Sequence, residues 1–208
     1  MRNDPVHHFP HGGTKAGGVL RACRLGILAV AAALLAGMLG GCNIISLGRA
    51  ILNEQKAEEE VVLTSTDGRY QLTVPGDWTD AGASLNEQAI LAAYNPQKEK
   101  YAVVLAESRE DFYDDVTARD YMDVLIEQMS WTVEDMTFTP AETVTVGGRE
   151  GYLSRIDGAV DGLKVTYWLT CVETSADFVQ ITAWTLQSKA EEYEEEFRRV
   201  GTSLQEAA

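Results

Sequence analysis

Histidine is missing from most of this sequence. The chain has three histidines, His7, His8 and His11, and all of them lie near its start. Residues 42–208 therefore cannot form a Ser–His or Cys–His nucleophile pair, because each needs an imidazole base. They also offer no histidine ligand for zinc or non-haem iron. These exclusions predict that the protein is not an enzyme.

Cysteine is almost as scarce. The chain has three cysteines, Cys23, Cys42 and Cys171. The last lies in the alternating segment VTYWLTC, residues 165–171, which is typical of a β-strand with one buried face. We expect Cys171 to be a small buried side chain rather than a reactive thiol. An internal disulfide is excluded if Cys23 is removed and Cys42 is modified.

The sequence also lacks an apolar run long enough to span a membrane. Its longest run, Leu25–Leu39, has 15 residues, whereas a spanning helix needs about 20. Basic residues precede the run and Leu39-Gly40-Gly41-Cys42 ends it, a pattern typical of a secretory signal. The last four residues resemble the lipobox of bacterial lipoproteins. That resemblance implies a signal peptide over residues 1–41 and a diacylglyceryl group on Cys42; an uncleaved membrane anchor is the alternative.

Basic residues are few in the rest of the chain. The whole chain has a formal charge of −15, and residues 1–41 contribute four basic residues and one acid, so residues 42–208 have a charge of −18. Nucleic-acid binding is excluded on this balance, and so is attraction to an anionic membrane. The lipid on Cys42 must therefore provide the anchor. We expect residues 42–60 to be a tether, or a short helix at the membrane surface.

Residues 61–208 have the length of one globular domain. Turn residues at Asp67-Gly68, Gly147-Gly148 and Asp161-Gly162 separate alternating apolar segments, which predicts a mainly antiparallel sheet. The predicted strands cover residues 61–64, 70–74, 90–94, 101–107, 144–146, 150–157, 163–172 and 178–186. One helix is predicted from Thr117 to about Ser130, and another after Ser188 as its N-cap.

The order of these segments carries a family likeness. The opening hairpin DGRYQLTVPGDW (Asp67–Trp78), the segment VTVGGREGY (Val144–Tyr152) and the closing VGTSL (Val200–Leu204) resemble the PsbP-like group. This group includes bacterial DcrB-type lipoproteins and a Ran-GTPase-binding relative in eukaryotes. The resemblance implies an α+β fold, an α/β/α sandwich around a mainly antiparallel sheet. It also implies a binding or assembly role, and it provides no catalytic residue.

Three features of the domain are candidates for a site. The first is an acidic loop within residues 107–115, which could hold a hard cation such as Ca²⁺ or could simply be solvated. The second is a set of aromatic residues that could line a groove, although we expect them to fill the core. The third is a pair of carboxylates for glycoside hydrolysis, but no spacing singles one out. The loop acids are Glu107, Glu110, Asp111, Asp114 and Asp115; the aromatic residues are Trp78, Tyr94, Trp131, Trp168 and Trp184.

The sequence therefore predicts a non-catalytic protein-binding or assembly module on the extracytoplasmic face of the cell membrane. It is expected to be anchored through the lipid on Cys42, to use no cofactor and to bind a protein partner. A surface receptor for a small molecule or divalent cation remains the alternative. The acidic run Glu191–Glu196 is expected to be a solvated helix face.

Overall fold

The computed structural model describes residues 7–8 and 59–207. It contains two α-helices, α1 (Ala118–Met129) and α2 (Ala190–Thr202), and three 3₁₀ turns at Gly82–Ser84, Arg109–Asp111 and Gln187–Lys189. The strands are β1 (His7–His8), β2 (Glu60–Thr64), β3 (Tyr70–Pro75), β4 (Thr79–Asp80), β5 (Leu91–Asn95), β6 (Lys100–Ser108), β7 (Glu134–Phe138), β8 (Glu142–Val146), β9 (Arg149–Val160), β10 (Leu163–Glu173), β11 (Asp177–Leu186) and β12 (Gln205–Glu206).

The strands form two antiparallel sheets. The larger has nine strands in the order β1-β7-β9-β10-β11-β6-β5-β4, with β8 also paired to β9. The smaller has three strands in the order β12-β3-β2. Every strand pair among the described residues is antiparallel, and the three predicted glycine turns connect neighbouring strands.

The large sheet has a core on each of its faces. On one face α2 and the small sheet pack over Trp168, Ile181 and Val104. On the other face α1 packs over Tyr167, Phe178 and Val103. Because neighbouring residues of β6 and β10 point to opposite faces, both strands are apolar on both sides. The predicted α/β/α sandwich is therefore confirmed.

Helix α1 begins where the sequence predicts. The Thr117 hydroxyl accepts a hydrogen bond from the Asp120 amide, and the Asp120 carboxylate accepts one from the Thr117 amide, which forms a capping box. Hydrogen bonds from the Thr117 hydroxyl and the Thr117 amide to the Asp120 carboxylate hold the pKa of Asp120 below its usual value. The buried face of the helix consists of Ala118, Tyr121, Met122, Leu125 and Ile126.

The predicted cap of α2 is wrong. The N-cap residue is Lys189 rather than Ser188, and no side chain caps the helix. Ser188 instead lies inside the 3₁₀ turn Gln187–Lys189, through which β11 continues into the helix. A 3₁₀ turn at a helix start is common, and here it moves the first helical residue to Ala190.

The sequence predicts that Cys171 is buried and unreactive. Cys171 is fully buried as a free cysteine, and burial raises the pKa of its thiol well above the usual value. It is thus inert in the folded domain, as predicted.

Within residues 59–207, neither helix is long and apolar enough to cross a bilayer.

Candidate functional site

The predicted lipidation residue lies outside the described part of the chain. Cys42 and most of the tether 42–60 precede Glu59, where the description of the domain begins, and only His7–His8 of the predicted signal peptide 1–41 are described. Their assignment therefore stays a prediction. The described domain does show where the tether joins it, because the Gly76 amide donates a hydrogen bond to the Glu59 carbonyl at 2.7 Å.

The acidic loop is organised around an arginine. The guanidinium of Arg109 donates hydrogen bonds to the carbonyls of Tyr113 and Asp114 at 2.9 and 2.8 Å, and to the Glu173 carboxylate at 2.9 Å. It also lies 4.9 Å from the centre of the Phe178 ring. Backbone oxygens that could bind a cation are therefore already bound to Arg109. Among the described residues, no three carboxylate, thiol or imidazole groups converge into a metal site.

Glu107 differs from the other acids of this loop because it points into the domain. Its carboxylate accepts a hydrogen bond from the Tyr121 hydroxyl at 2.7 Å. Burial raises the pKa of Glu107 against the opposing effect of this hydrogen bond, and Asp111 raises it further. The fold therefore favours the protonated carboxyl group, and ionisation of Glu107 at neutral pH costs stability.

Glu107→Gln is expected to raise the denaturation midpoint at pH 7 slightly. Glutamine retains an oxygen that can accept the Tyr121 hydrogen bond and carries no charge to bury. Because the folded pKa is raised, the wild-type penalty appears as pH rises through that pKa and vanishes below the unfolded pKa. Urea titrations at several pH values should show the two proteins converging in acid. An equal gain from Glu110→Gln, at an exposed neighbour, would contradict this explanation.

The aromatic set divides into buried residues and one exposed residue. Trp78, Trp168 and Trp184 are buried, and Tyr94 packs at the edge of the α1-side core. The core interpretation is therefore right for these four. It is wrong for Trp131, whose exposed fraction is 65%, because α1 ends at Met129 and Trp131 lies in the turn that follows.

A buried charged cluster that the sequence did not reveal lies under α2. The side chain of Lys100 is 1% exposed, and its Nζ donates a hydrogen bond to Glu196 Oε1 at 2.6 Å. The indole N–H of Trp78 donates to the same oxygen at 2.7 Å. Lys100 Nζ lies 5.4 Å from the centre of the Trp78 ring and 5.1 Å from that of Tyr193. The ammonium is thus enclosed by one carboxylate and two aromatic rings.

Asp77 completes this cluster on the side of the sheet. Its Oδ2 lies 3.7 Å from Lys100 Nζ and 2.9 Å from Lys98 Nζ, and it accepts a hydrogen bond from Asn95 Nδ2 at 2.8 Å. Together with Glu196, these residues form a cluster of two cations and two anions, whose formal charges cancel. We call Asp77, Lys98, Lys100 and Glu196 the buried charged cluster. It joins α2, β6 and the segment after β3.

Glu196 shows why the predicted solvated face is only partly correct. Glu192 and Glu195 are exposed, as expected for such a face. Glu196 instead turns inward to Lys100, and Glu191 and Glu194 bind the Arg155 guanidinium at 3.0 and 3.1 Å. The run is therefore in part a solvated face and in part a set of ion pairs between α2 and the large sheet.

A second polar cluster closes the opposite end of the sheet. The buried carboxylate of Asp177 accepts a hydrogen bond from the Tyr70 hydroxyl at 2.5 Å and pairs with Arg69. Burial and this carboxylate raise the pKa of Tyr70 to about 12. Thr174 also bonds Tyr70. The cluster fixes the small sheet to the β10–β11 turn, which is a structural role.

Two open clefts mark the surface of the described domain. One, of ≈ 440 Å³, lies between the start of α1 and strands β9 and β10. The other, of ≈ 510 Å³, lies between β3 and the end of α2. We call the cleft beside the start of α1 the α1 cleft. Its lining residues are Thr117, Ala118, Arg149, Glu150, Tyr152, Glu173 and Thr174.

The α1 cleft has a charged rim around an aromatic side chain. Tyr152 donates a hydrogen bond to Glu150 at 2.8 Å, and the Arg119 guanidinium lies 5.8 Å from its ring centre. Arg149 is held at the rim by Glu206, at 2.6 Å. Tyrosine and arginine are enriched where proteins bind one another, so this cleft offers suitable chemistry for a protein partner.

Comparison with known proteins shows the fold of the chain. It is similar to the cyanobacterial PsbP protein CyanoP of Synechocystis, with a TM-score of 0.54 and 13% identity over 81% of this chain and 98% of that one. The chain is also similar to LpqN of Mycobacterium tuberculosis, a protein involved in cell envelope biogenesis, with a TM-score of 0.53 and 14% identity over 76% of this chain and 96% of that one. No protein-family model and no curated protein matches the sequence. The domain therefore has a PsbP-like α+β fold, as the sequence predicts.

Proposed function

We propose that this protein is a non-catalytic lipoprotein that binds a protein partner at the outer side of the cell membrane. The lipid on Cys42 anchors it, and the α1 cleft receives the partner. The observation that supports the proposal most directly is the composition of this cleft, which is open, charged at its rim and built around Tyr152. A role in envelope assembly is consistent with the similarity of the fold to LpqN, which is involved in cell envelope biogenesis.

The position of the α1 cleft also supports the proposal. Its residues Arg149 and Thr174 lie near the start of β9 and the end of β10, whereas the tether joins the domain near Gly76. In the sheet these places are at opposite ends, because Val172 pairs with Gly151 at one end and Asn95 pairs with Lys100 at the other. A domain tethered at one end thus presents the cleft at its free end.

Tyr152→Ala is expected to weaken capture of the partner. A tyrosine at the centre of an interface contributes about 2 kcal/mol or more, which corresponds to a roughly thirtyfold loss of affinity. The test is crosslinking in intact cells, followed by purification of the tagged protein and quantitative mass spectrometry. Tyr152→Phe keeps the ring and should retain most of the capture.

Two controls make this test decisive. Glu87→Ala changes an exposed side chain in the loop before β5 and should capture the partner as wild type does. A thermal melt of each variant separates loss of binding from loss of folding. Unchanged capture by folded Tyr152→Ala, or the absence of any reproducible partner, would overturn the assignment of the α1 cleft.

A further inference from the structure

The register of the strand pairs shows which residues lie at the same end of the large sheet. A row of paired residues crosses the sheet from β4 to β7. The row consists of Thr79, Tyr94, Tyr101, Trp184, Tyr167, Ile156 and Phe138. Gly76, which bonds Glu59, lies beyond this row on the same side as the β9–β10 turn. We call this side the tether end.

The β9–β10 hairpin projects furthest at the tether end. Its last pair, Val160 with Leu163, lies four residues beyond the row, whereas the last β5–β6 pair, Asn95 with Lys100, lies one residue beyond it. At about 3.3 Å per residue the hairpin extends roughly 10 Å further than the neighbouring turn. It is therefore the part of the sheet that would meet a surface on this side first.

Exposed apolar side chains lie at the same place. Leu163 is 38% exposed at the hairpin, and Trp131 is 65% exposed. Trp131 precedes Glu134 by three residues, and Glu134 pairs with Ala159 beside the hairpin turn. Lys164 follows Leu163 in β10 and is exposed on the opposite face of the hairpin. A tryptophan and a leucine thus share one corner of the α1 side.

We infer that Trp131 and Leu163 contact the interface of a zwitterionic lipid bilayer and orient the anchored domain. The inference rests on the proposed lipid anchor at Cys42. Tryptophan has an apolar ring with one polar N–H and is enriched at membrane–water interfaces. The corner therefore has the side chains that an interfacial contact requires.

The length of the tether and the charges near Trp131 and Leu163 indicate which kind of surface contacts this corner. Cys42 and Glu59 are 17 residues apart, so the tether end cannot lie more than about 60 Å from the lipid. Glu134, Asp135 and Asp161 are exposed at the same corner, and they repel anionic lipid. A zwitterionic surface is thus preferred. A protein partner is disfavoured here, because this is the end that the anchor holds toward the membrane.

The test uses the lipid-modified protein purified from membranes and placed on phosphatidylcholine vesicles. The chain has four tryptophans, and the other three, Trp78, Trp168 and Trp184, are buried. Phosphatidylcholine brominated near the headgroup should therefore quench the emission of Trp131 alone, up to roughly a quarter of the total. Trp131→Phe should abolish the quenching. Adding anionic lipid should reduce it.

A matched control moves the reporter to the other end of the domain. The double variant Trp131→Phe/Glu110→Trp places a tryptophan at an exposed position after β6, next to the Ser108–Asp177 pair. It should float with the vesicles and show no quenching by brominated lipid. Equal quenching of this variant and wild type would mean that the domain has no fixed orientation, and would overturn the inference.

The remaining outcomes separate the two proposals. If the protein floats with vesicles but Trp131 is not quenched, the bilayer contact is wrong and the anchor stands. If the protein does not float, the anchor is wrong and the inference fails with it. A photocrosslinker at position 131 that captures a protein in cells, together with no quenching on vesicles, would identify the corner as a protein-binding surface instead.

Discussion

Cys42→Ser is expected to abolish lipid labelling of this protein and to release it from the membrane fraction. The lipid is attached through the thiol in the lipoproteins whose lipobox the segment Leu39–Cys42 resembles, and serine has no thiol. Each acyl methylene buried in the bilayer contributes about 0.8 kcal/mol. The charge of −18 on residues 42–208 provides no electrostatic attraction that could replace this energy. Loss of the lipid should therefore remove the anchor altogether.

Cys23→Ser is the matched control for this experiment. Cys23 lies in the predicted signal peptide, so its replacement should leave labelling and fractionation unchanged. Cells grown with a labelled fatty acid provide the first measurement, and fractionation with immunoblotting provides the second. Cys42→Ser cells that label and fractionate like wild type would show that the anchor is elsewhere.

Lys100→Met is expected to lower the free energy of unfolding by about 3–5 kcal/mol. Methionine fills much of the same volume but removes the charge that faces Glu196 at 2.6 Å and Asp77 at 3.7 Å. The Asp77 side chain is 4% exposed, so water cannot replace the lost ammonium there. Asp77 Oδ1 is also buried without a hydrogen-bond partner among the described residues. Removing the central cation thus leaves Glu196 without its cation and leaves Asp77 with Lys98 alone, in the protein interior.

Urea denaturation of the Cys42→Ser protein and of its Lys100→Met variant can measure this loss. Lys164→Met is the control, because Lys164 is exposed and its replacement should change stability by less than about 0.5 kcal/mol. The double variant Lys100→Met/Glu196→Gln should recover part of the loss, because Glu196 then carries no charge to be buried. A Lys100→Met protein as stable as the Lys164→Met protein would mean that the buried charged cluster does not hold α2 to the sheet.

Local sequence patterns are sufficient to predict most of the fold. Alternation in Leu163–Val172 and the glycine turns at 147–148 and 161–162 identify the long hairpins, because both signals arise from neighbouring residues. Thr117 and Asp120 locate the start of α1 for the same reason. The likeness to the PsbP-like group then supplies the order of the layers, which alternation alone does not determine.

The buried charged cluster and the cluster around Asp177 could not be predicted, because their members are distant in sequence. Lys100 and Glu196 are separated by 96 residues, and Tyr70 and Asp177 by 107. The one local signal was a charged residue directly before the doubly buried segment YAVVLAE, which implies that Lys100 must find a partner. Trp131 escaped because a tryptophan usually fills a core, and only the end of α1 at Met129 shows that this one lies outside it. Arg109 lies between the loop acids in the sequence. Its hydrogen bonds to the Tyr113 and Asp114 carbonyls form only in the folded turn, so the sequence alone does not predict them.

The intact mass of the protein extracted from membranes with detergent tests the anchored PsbP-like module most directly. Cleavage before Cys42 and lipid attachment predict the mass of residues 42–208 plus a diacylglyceryl group, with or without a further acyl chain. Treatment with base should remove the ester-linked acyl chains and lower the mass accordingly. A chain that retains residues 1–41, or one that begins elsewhere and carries no lipid, would contradict the proposal.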